Sequence, residues 1–211
     1  MDADLVAHMH DGVKRKQILD GARAVFLSDG FDGASMNDIA RVAGVSKGTL
    51  YVYFESKEQL FEALILEDRQ QQAERIATLG EPENADEFLR DYGRRLSCVV
   101  MRPETILQVR MVIAATGKFP RLGQVFYEAG PAFGLRSLAG LLIKLKAKGQ
   151  LEFDDAELAA QHFLDLSHAG LHKRVLFGVV ESVSDEDIGR RVDAAVDVFL
   201  RAYGTKASIA R

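Results

Sequence analysis

The feature that most limits what this chain can fold into is a pair of very short amphipathic segments between Ser35 and Phe54. The first runs from Met36 to Ala43 and the second from Lys47 to Tyr53. Each offers only about two helical turns, too few to hold a helix alone, so packing on neighbours must fix both. Between them, Gly44-Val45-Ser46 makes a turn in which Gly44 admits a left-handed backbone. Ser35, with Asp38 three residues on, reads as a capping box for the first segment. This build predicts a helix-turn-helix. Ile39, Ala43, Val45 and Leu50 supply its buried face, and Ala40 is small where the two helices come closest. Lys47, Thr49, Tyr51 and Tyr53 face outward, and Gly48 lets a partner approach the backbone.

Elsewhere the pattern is helical almost throughout, with apolar residues recurring at spacings of three and four, and no segment reads as a strand. A first helix is expected from Val13 to Asp29, carrying Ile18, Ala22, Val25 and Phe26 and stopping at Gly30. A fourth starts behind the cap pair Ser56 and Gln59 and carries Leu60, Phe61, Leu64, Ile65, Ile76 and Leu79 to Gly80. The helices beyond 80–83 have wider apolar faces, and the domain boundary is placed there. Gly130-Pro131 punctuates the middle, Asp154 with Glu157 caps a long helix reaching Phe177, and Ser184 with Asp187 caps the last, which ends at Gly204. The fold class is all-α: an N-terminal three-helix helix-turn-helix domain followed by a larger helical domain. The expected divisions are a flexible arm at 1–12, the helix-turn-helix domain at 13–60, a connecting helix at 61–82, the larger domain at 83–204 and a tail at 205–211.

Composition narrows the function. The 211 residues include 27 Lys and Arg against 31 Asp and Glu, a net charge of −4, which excludes a surface coated by nucleic acid. Any such site must be local. Residues 13–60 hold seven basic side chains and six acidic ones, so placement rather than total charge focuses the field. One cysteine, Cys98, excludes an intrachain disulfide or thiolate cluster. No apolar run of about 18 residues and no secretory leader is evident, so no membrane partner and a cytoplasmic location are expected.

The outward residues of the second short helix suit DNA: lysine for phosphate or guanine, a threonine methyl for thymine, tyrosine hydroxyls for phosphate. The helix starts at Ser35 and at Ser56, with Lys57 beside it, add backbone donors. Lys14, Arg15 and Lys16 are either flanking phosphate contacts or a solvated helix end. The stretch from Phe31 to Phe61, above all GVSKGTLYVYFESKEQLF, resembles the DNA-binding domain of TetR/AcrR-type transcriptional regulators. GKFPRLGQVFYEAG further resembles the AefR-like subset. Met36 departs from the pattern, because many relatives carry Thr or Ser there. The resemblance implies a sequence-specific regulator, a ligand-released repressor acting as a homodimer on a pseudo-palindromic operator in double-stranded DNA. Its DNA-binding residues would be Ser35, Asn37, Ser46, Lys47, Gly48, Thr49, Tyr51, Tyr53 and Lys57.

In the larger domain, Phe88, Tyr92, Met101, Arg110, Met111, Phe126, Phe133, His162 and Phe163 are candidates to line a pocket for a small-molecule effector, each with a plain core role as the alternative. The helix from Asp155 to Phe177 is apolar on most sides and needs two covers, one of them a second subunit. With the last helix it would complete the homodimer, as in the resembled family. A polar seam of Gln161, Asp165, His168 and His172 is expected to hydrogen-bond across that interface or line a cavity mouth, in preference to holding a metal. No catalytic residues and no cofactor are expected. The alternative reading is a helical-bundle carrier or enzyme whose helix-turn-helix is purely structural.

Overall fold

The computed structural model describes residues 3–77 and 80–206, and 79% of the chain is helical. Eleven α-helices are described, in the order α1 (Ala3–Gly33), α2 (Met36–Val42), α3 (Lys47–Tyr53), α4 (Lys57–Ala77), α5 (Ala85–Val100), α6 (Pro103–Thr116), α7 (Pro120–Tyr127), α8 (Phe133–Ala147), α9 (Ala156–His168), α10 (Leu171–Leu176) and α11 (Asp185–Tyr203). The chain divides into two compact units, Met1–Asp68 with Arg110–Phe126, and Arg69–Val109 with Tyr127–Arg211.

The first unit buries Ile18, Leu19, Ala22, Val25 and Phe26 of α1 against Ile39 and Leu50 of the short helices and Leu60, Phe61, Leu64 and Ile65 of α4. An aromatic cluster anchors it: Phe31 lies 5.8 Å from Phe26, 5.2 Å from Phe61 and 5.2 Å from Phe119. The Phe119 contact, with ion pairs Lys118–Asp32 and Arg121–Glu62, ties 110–126 into this unit. The division therefore differs from the expected boundary at 80–83, because these contacts are remote in sequence. Helix α1 is also longer than expected: it begins at Ala3, not Val13, so the segment predicted as a flexible arm is helical over 3–12. At the other end it kinks at Gly30 and resumes to Gly33. Of the stripe on α4, Ile76 and Leu79 lie outside the residues described at side-chain level.

The second unit packs α5, α8, α9 and α11 around one core that includes Phe88, Leu89, Tyr92, Leu138, Leu142, Phe163, Val192 and Phe199. Gly93 of α5 lies where α9 and α11 converge: a Cβ there would stand 2.7 Å from Val192 Cγ1 and 3.1 Å from Phe163 Cζ. Arg90 pairs with Asp86 one turn back on α5 and bridges to α11 through Asp193 and Asp197. Asn84, Asp155 and Ser184 accept hydrogen bonds from backbone N–H groups three residues on, capping α5, α9 and α11. The cap of α9 is thus Asp155, one residue later than expected. Two further expectations are corrected. Gly130-Pro131 does not break the chain but lies in a π-helical turn, Glu128–Ala132, between α7 and α8, whose wider register accommodates the missing proline N–H. The long helix to Phe177 is split at Ala169-Gly170, where Gly170 takes φ 78°.

Candidate nucleic-acid interface

The two short helices are held from behind by α1. Gly21 faces Ala43 so closely that a Cβ would stand 2.7 Å from the Ala43 backbone N and Cα. Gln17 donates from Nε2 to the Ala43 carbonyl at 2.6 Å, giving the end of α2 a partner where no further turn of helix follows. Gly44 takes φ 64° and turns the chain into α3. Ser35 caps α2 as predicted: its Oγ accepts from Asp38 N at 3.2 Å and donates to the Asp38 carboxylate at 2.5 Å. That hydrogen bond, with a second from Arg41, holds the Asp38 carboxyl below its ordinary pKa. Ser46 caps α3 by accepting from Thr49 N at 3.0 Å, with the two hydroxyls 2.8 Å apart. Leu50 is fully buried, as are Ile39 and Ala43, whereas Val45 is half-buried.

Opposite that buried side, α3 presents Lys47, Gly48, Tyr51 and Val52 to solvent. Lys47 Nζ lies 5.9 Å from the Tyr51 ring centroid, a cation–π contact that orients both. Tyr53 is half-buried, and a hydrogen bond to the Asp11 carboxylate pushes its phenol above its ordinary pKa. Asn37 is exposed on α2. Sequence reasoning missed Val52, which is 82% exposed. Its signal was available, because a valine placed opposite Leu50 on a short helix has no core to enter.

Lys57, the DNA-contact candidate beside the Ser56 helix start, is engaged within the fold. Its ammonium donates to the carbonyls of Phe31 at 2.7 Å and Ala34 at 3.1 Å, and stands 4.7 Å from the Phe31 ring. It closes the end of α1 rather than projecting into solvent. Of the basic run near the start of the first helix, Lys16 pairs with Asp20, Lys14 donates to Gln17, and the Arg15 guanidinium lies over the Phe54 ring.

The nine pocket candidates do not gather at one place. Phe88, Tyr92, Met101 and Phe163 share the core of the second unit. His162 is exposed, its Nδ1 2.6 Å from the Tyr203 hydroxyl, and Phe133 is largely exposed. Arg110, Met111 and Phe126 belong to the first unit, with Arg110 exposed. Burial pushes the Tyr92 phenol up to about 12, and its hydroxyl has no hydrogen-bond partner. His168 Nε2 is likewise unmatched. Burial, reinforced by His172, pushes His168 down to about 4 against the opposing pull of Asp165. The helix break at Gly170 separates His172 from the other members of the polar seam, so the expected single-helix spacing does not hold. Cys98 is half-buried, its Sγ 3.8 Å from Asp185 Oδ1, and burial and that carboxylate raise its pKa.

Residues 18–64 match the profile of bacterial regulatory proteins of the tetR family, and 87–205 match that of the AefR-like transcriptional repressor C-terminal domain. The chain belongs to the TetR family of transcriptional regulators. All nine candidate DNA-binding residues of this TetR regulator fall in the first match, and all nine pocket candidates in the second. A TetR-family regulator from Mesorhizobium loti is 34% identical, with TM-score 0.85 over 92% of this chain and 98% of its own. The Flavonoid-responsive Regulator FrrA is also 34% identical, with TM-score 0.78 over 92% and 99%. The HTH-type transcriptional regulator UidR of Escherichia coli is 29% identical over 86% of this chain and 87% of its own. This TetR regulator is a helix-turn-helix DNA-binding protein, and no helix among its described residues is long and apolar enough to cross a membrane.

Proposed function

We propose that the protein is a cytoplasmic homodimeric repressor that holds a pseudo-palindromic operator until a small-molecule effector releases it. The observation that carries this reading is the face of α3. Lys47, Gly48, Tyr51 and Val52 stand exposed behind a fully buried Leu50 and contribute nothing to the core. Ser35, Asn37, Ser46, Thr49 and Tyr53 flank that face, Lys47 and the tyrosines meeting phosphate and the smaller residues the base edges. Lys57 serves by orienting the end of α1. The head is residues 13–60 and the effector and dimerisation domain 83–204. The dimer forms through α9, α10 and α11, supported by Leu158, Phe177 (77% exposed), Val179 and Val198 in and around them. Two heads so paired would address half-sites roughly 34–36 Å apart.

The effector we propose is a planar polyphenol, by analogy with FrrA, whose name records a flavonoid response. The aromatic side chains Phe88, Tyr92 and Phe163, with the unmatched Tyr92 hydroxyl, support that chemistry. The effector releases DNA only by the margin with which it prefers the DNA-incompetent conformation, typically about 1–3 kcal/mol. A carrier or enzyme with a structural helix-turn-helix finds no support in the family match.

Selection of bound sequences from random duplex DNA, at a stated salt concentration, is the test. An enriched pseudo-palindrome is expected, and titration of that site with a hydroxylated flavone should weaken binding. A folded protein that enriches no sequence at low salt overturns the reading, and an enriched site indifferent to the flavone overturns only the effector class.

A further inference from the structure

Helix α3 carries its chemistry in stripes. At about 100° per residue, Gly48 and Val52 stand about 160° from the buried Leu50, at the outermost line of the helix, with Thr49 beside them. Lys47 and Tyr51, one turn apart and in cation–π contact, form the adjoining stripe. Val52 is 82% exposed, the most exposed large apolar side chain described. Folding gains nothing from it: a β-branched residue in a seven-residue helix is a poorer helix former than alanine. Beside it Gly48 offers bare backbone, with nothing nearer than the Ser46 hydroxyl at 3.8 Å from a Cβ position. The outermost line of the helix is therefore small, uncharged and apolar, with Lys47 and Tyr51 to one side of it and the Thr49 hydroxyl to the other.

The geometry points to Val52 as a specificity-determining residue that reads the 5-methyl group of a thymine in the major groove of each operator half-site. A valine cannot donate or accept a hydrogen bond, so it is blind to the donor and acceptor pattern of the bases. The one apolar group that the major groove displays is the thymine methyl. Gly48 permits the approach, because a side chain there would hold the helix off the base edges. Lys47 and Tyr51, meeting the backbone, set the register in which Val52 lies over one base step. This inference rests on the proposed DNA reading by α3 and adds a base contact of defined chemistry.

The test uses the full-length protein and the site recovered by selection. Each thymine of a half-site is replaced in turn by deoxyuridine, which removes only the methyl and leaves the hydrogen-bonding edge unchanged. For the natural sequence, one thymine position is expected to lose about fourfold in affinity per half-site, or about fifteenfold when both halves are changed, the value of burying one methyl-sized group. Val52→Ala should bind the thymine site more weakly by a similar factor and show no further loss with deoxyuridine. Its slope of affinity against salt should match the natural protein's, because no phosphate contact is lost. Val52→Thr, which retains a methyl, should keep part of the thymine preference. Unchanged thermal unfolding of Val52→Ala separates a reading role from a folding one. The inference is overturned if Val52→Ala pays the same deoxyuridine penalty as the natural sequence, or if no thymine position shows one. A protein that selects no site overturns the DNA reading itself, which is a different result.

Discussion

The two units fix their helices in different ways. In the first, α1 and α2 meet almost backbone to backbone, Gly21 against Ala43, and the geometry is finished by caps: Ser35, Ser46, Gln17 on the Ala43 carbonyl, Lys57 on the end of α1. In the second, longer helices meet through side chains, with Val192 and Phe163 filling the space above Gly93 and Arg90 pairing with carboxylates of α11. Short helices have too little area to choose a packing angle by burial, so close approach and capping must choose it. Long helices choose by interdigitation, which can repack around a change.

Matched glycine substitutions break that comparison most directly. A Cβ at residue 21 meets the main chain of Ala43, which cannot move without displacing α2, so Gly21→Ala should cost about 3 kcal/mol and abolish operator binding. A Cβ at residue 93 meets the ends of Val192 and Phe163, and Gly93→Ala should cost about 1 kcal/mol. Urea unfolding of both variants, with operator binding alongside, measures the difference. Equal costs would sink the distinction between backbone-set and side-chain-set packing.

The same distinction explains what could be read from the sequence. Caps and turns are local: Ser35 with Asp38, Gly44, Ser46, and Ser184 with Asp187 each announced an element within four residues, and α2, α3 and α11 lie where they predict. The helical class and the family followed from the same local signals. The local misses were small, the Asp155 cap by one residue and the break at Gly170, and the larger failures were non-local. Nothing near Phe119 says that it will pack on Phe31, so the excursion of 110–126 into the first unit was invisible. Periodicity marks Phe88, Tyr92 and Phe163 as inward but not what they face, and His162 and Phe163 read alike as pocket candidates although Phe163 is buried in the core and His162 is exposed. Lys57 reads as a DNA contact from its place beside the Ser56 cap, and only the geometry supplies the carbonyls it satisfies.

Acid sharpens the contrast from the other side, because the strongly shifted histidine belongs to the second unit. His168 is held near 4 by burial, below its unfolded value near 6.5. Between those values the unfolded chain binds the proton and the folded one does not, so stability is full above about pH 6.5 and falls as pH drops toward 4. The loss is on the order of 3 kcal/mol over that window. His168→Gln should flatten this dependence, as read by urea unfolding at pH 7.5 and pH 5. An undiminished slope in the variant would assign the acid sensitivity to other groups.

In the head, the expected effects are smaller and fall on binding rather than folding. Lys47→Ala should weaken operator binding about tenfold and reduce the salt slope by about one, since one phosphate contact is lost, with thermal unfolding unchanged. An unaltered slope would move Lys47 from phosphate to base edge.

The smallest effect concerns Asp11, whose carboxylate accepts a hydrogen bond from the Tyr53 phenol and raises its pKa. A hydroxyl engaged by a carboxylate is not free for a phosphate oxygen, and the carboxylate also repels the DNA backbone that α3 must approach. Asp11→Ala removes both the charge and the acceptor for Tyr53, and is expected to tighten operator binding about two- to threefold at low salt. The gain should shrink as salt rises past about 0.15 M, where exposed charges a Debye length apart no longer sense each other. Tyr53→Phe in the Asp11→Ala background separates the two contributions. If the tightening survives loss of the hydroxyl, repulsion of the backbone is the cause, and if it vanishes, Asp11 acts by occupying Tyr53. Tighter binding with no salt dependence would exclude repulsion of the backbone, which screening must weaken, and leave release of the neutral Tyr53 hydroxyl as the cause.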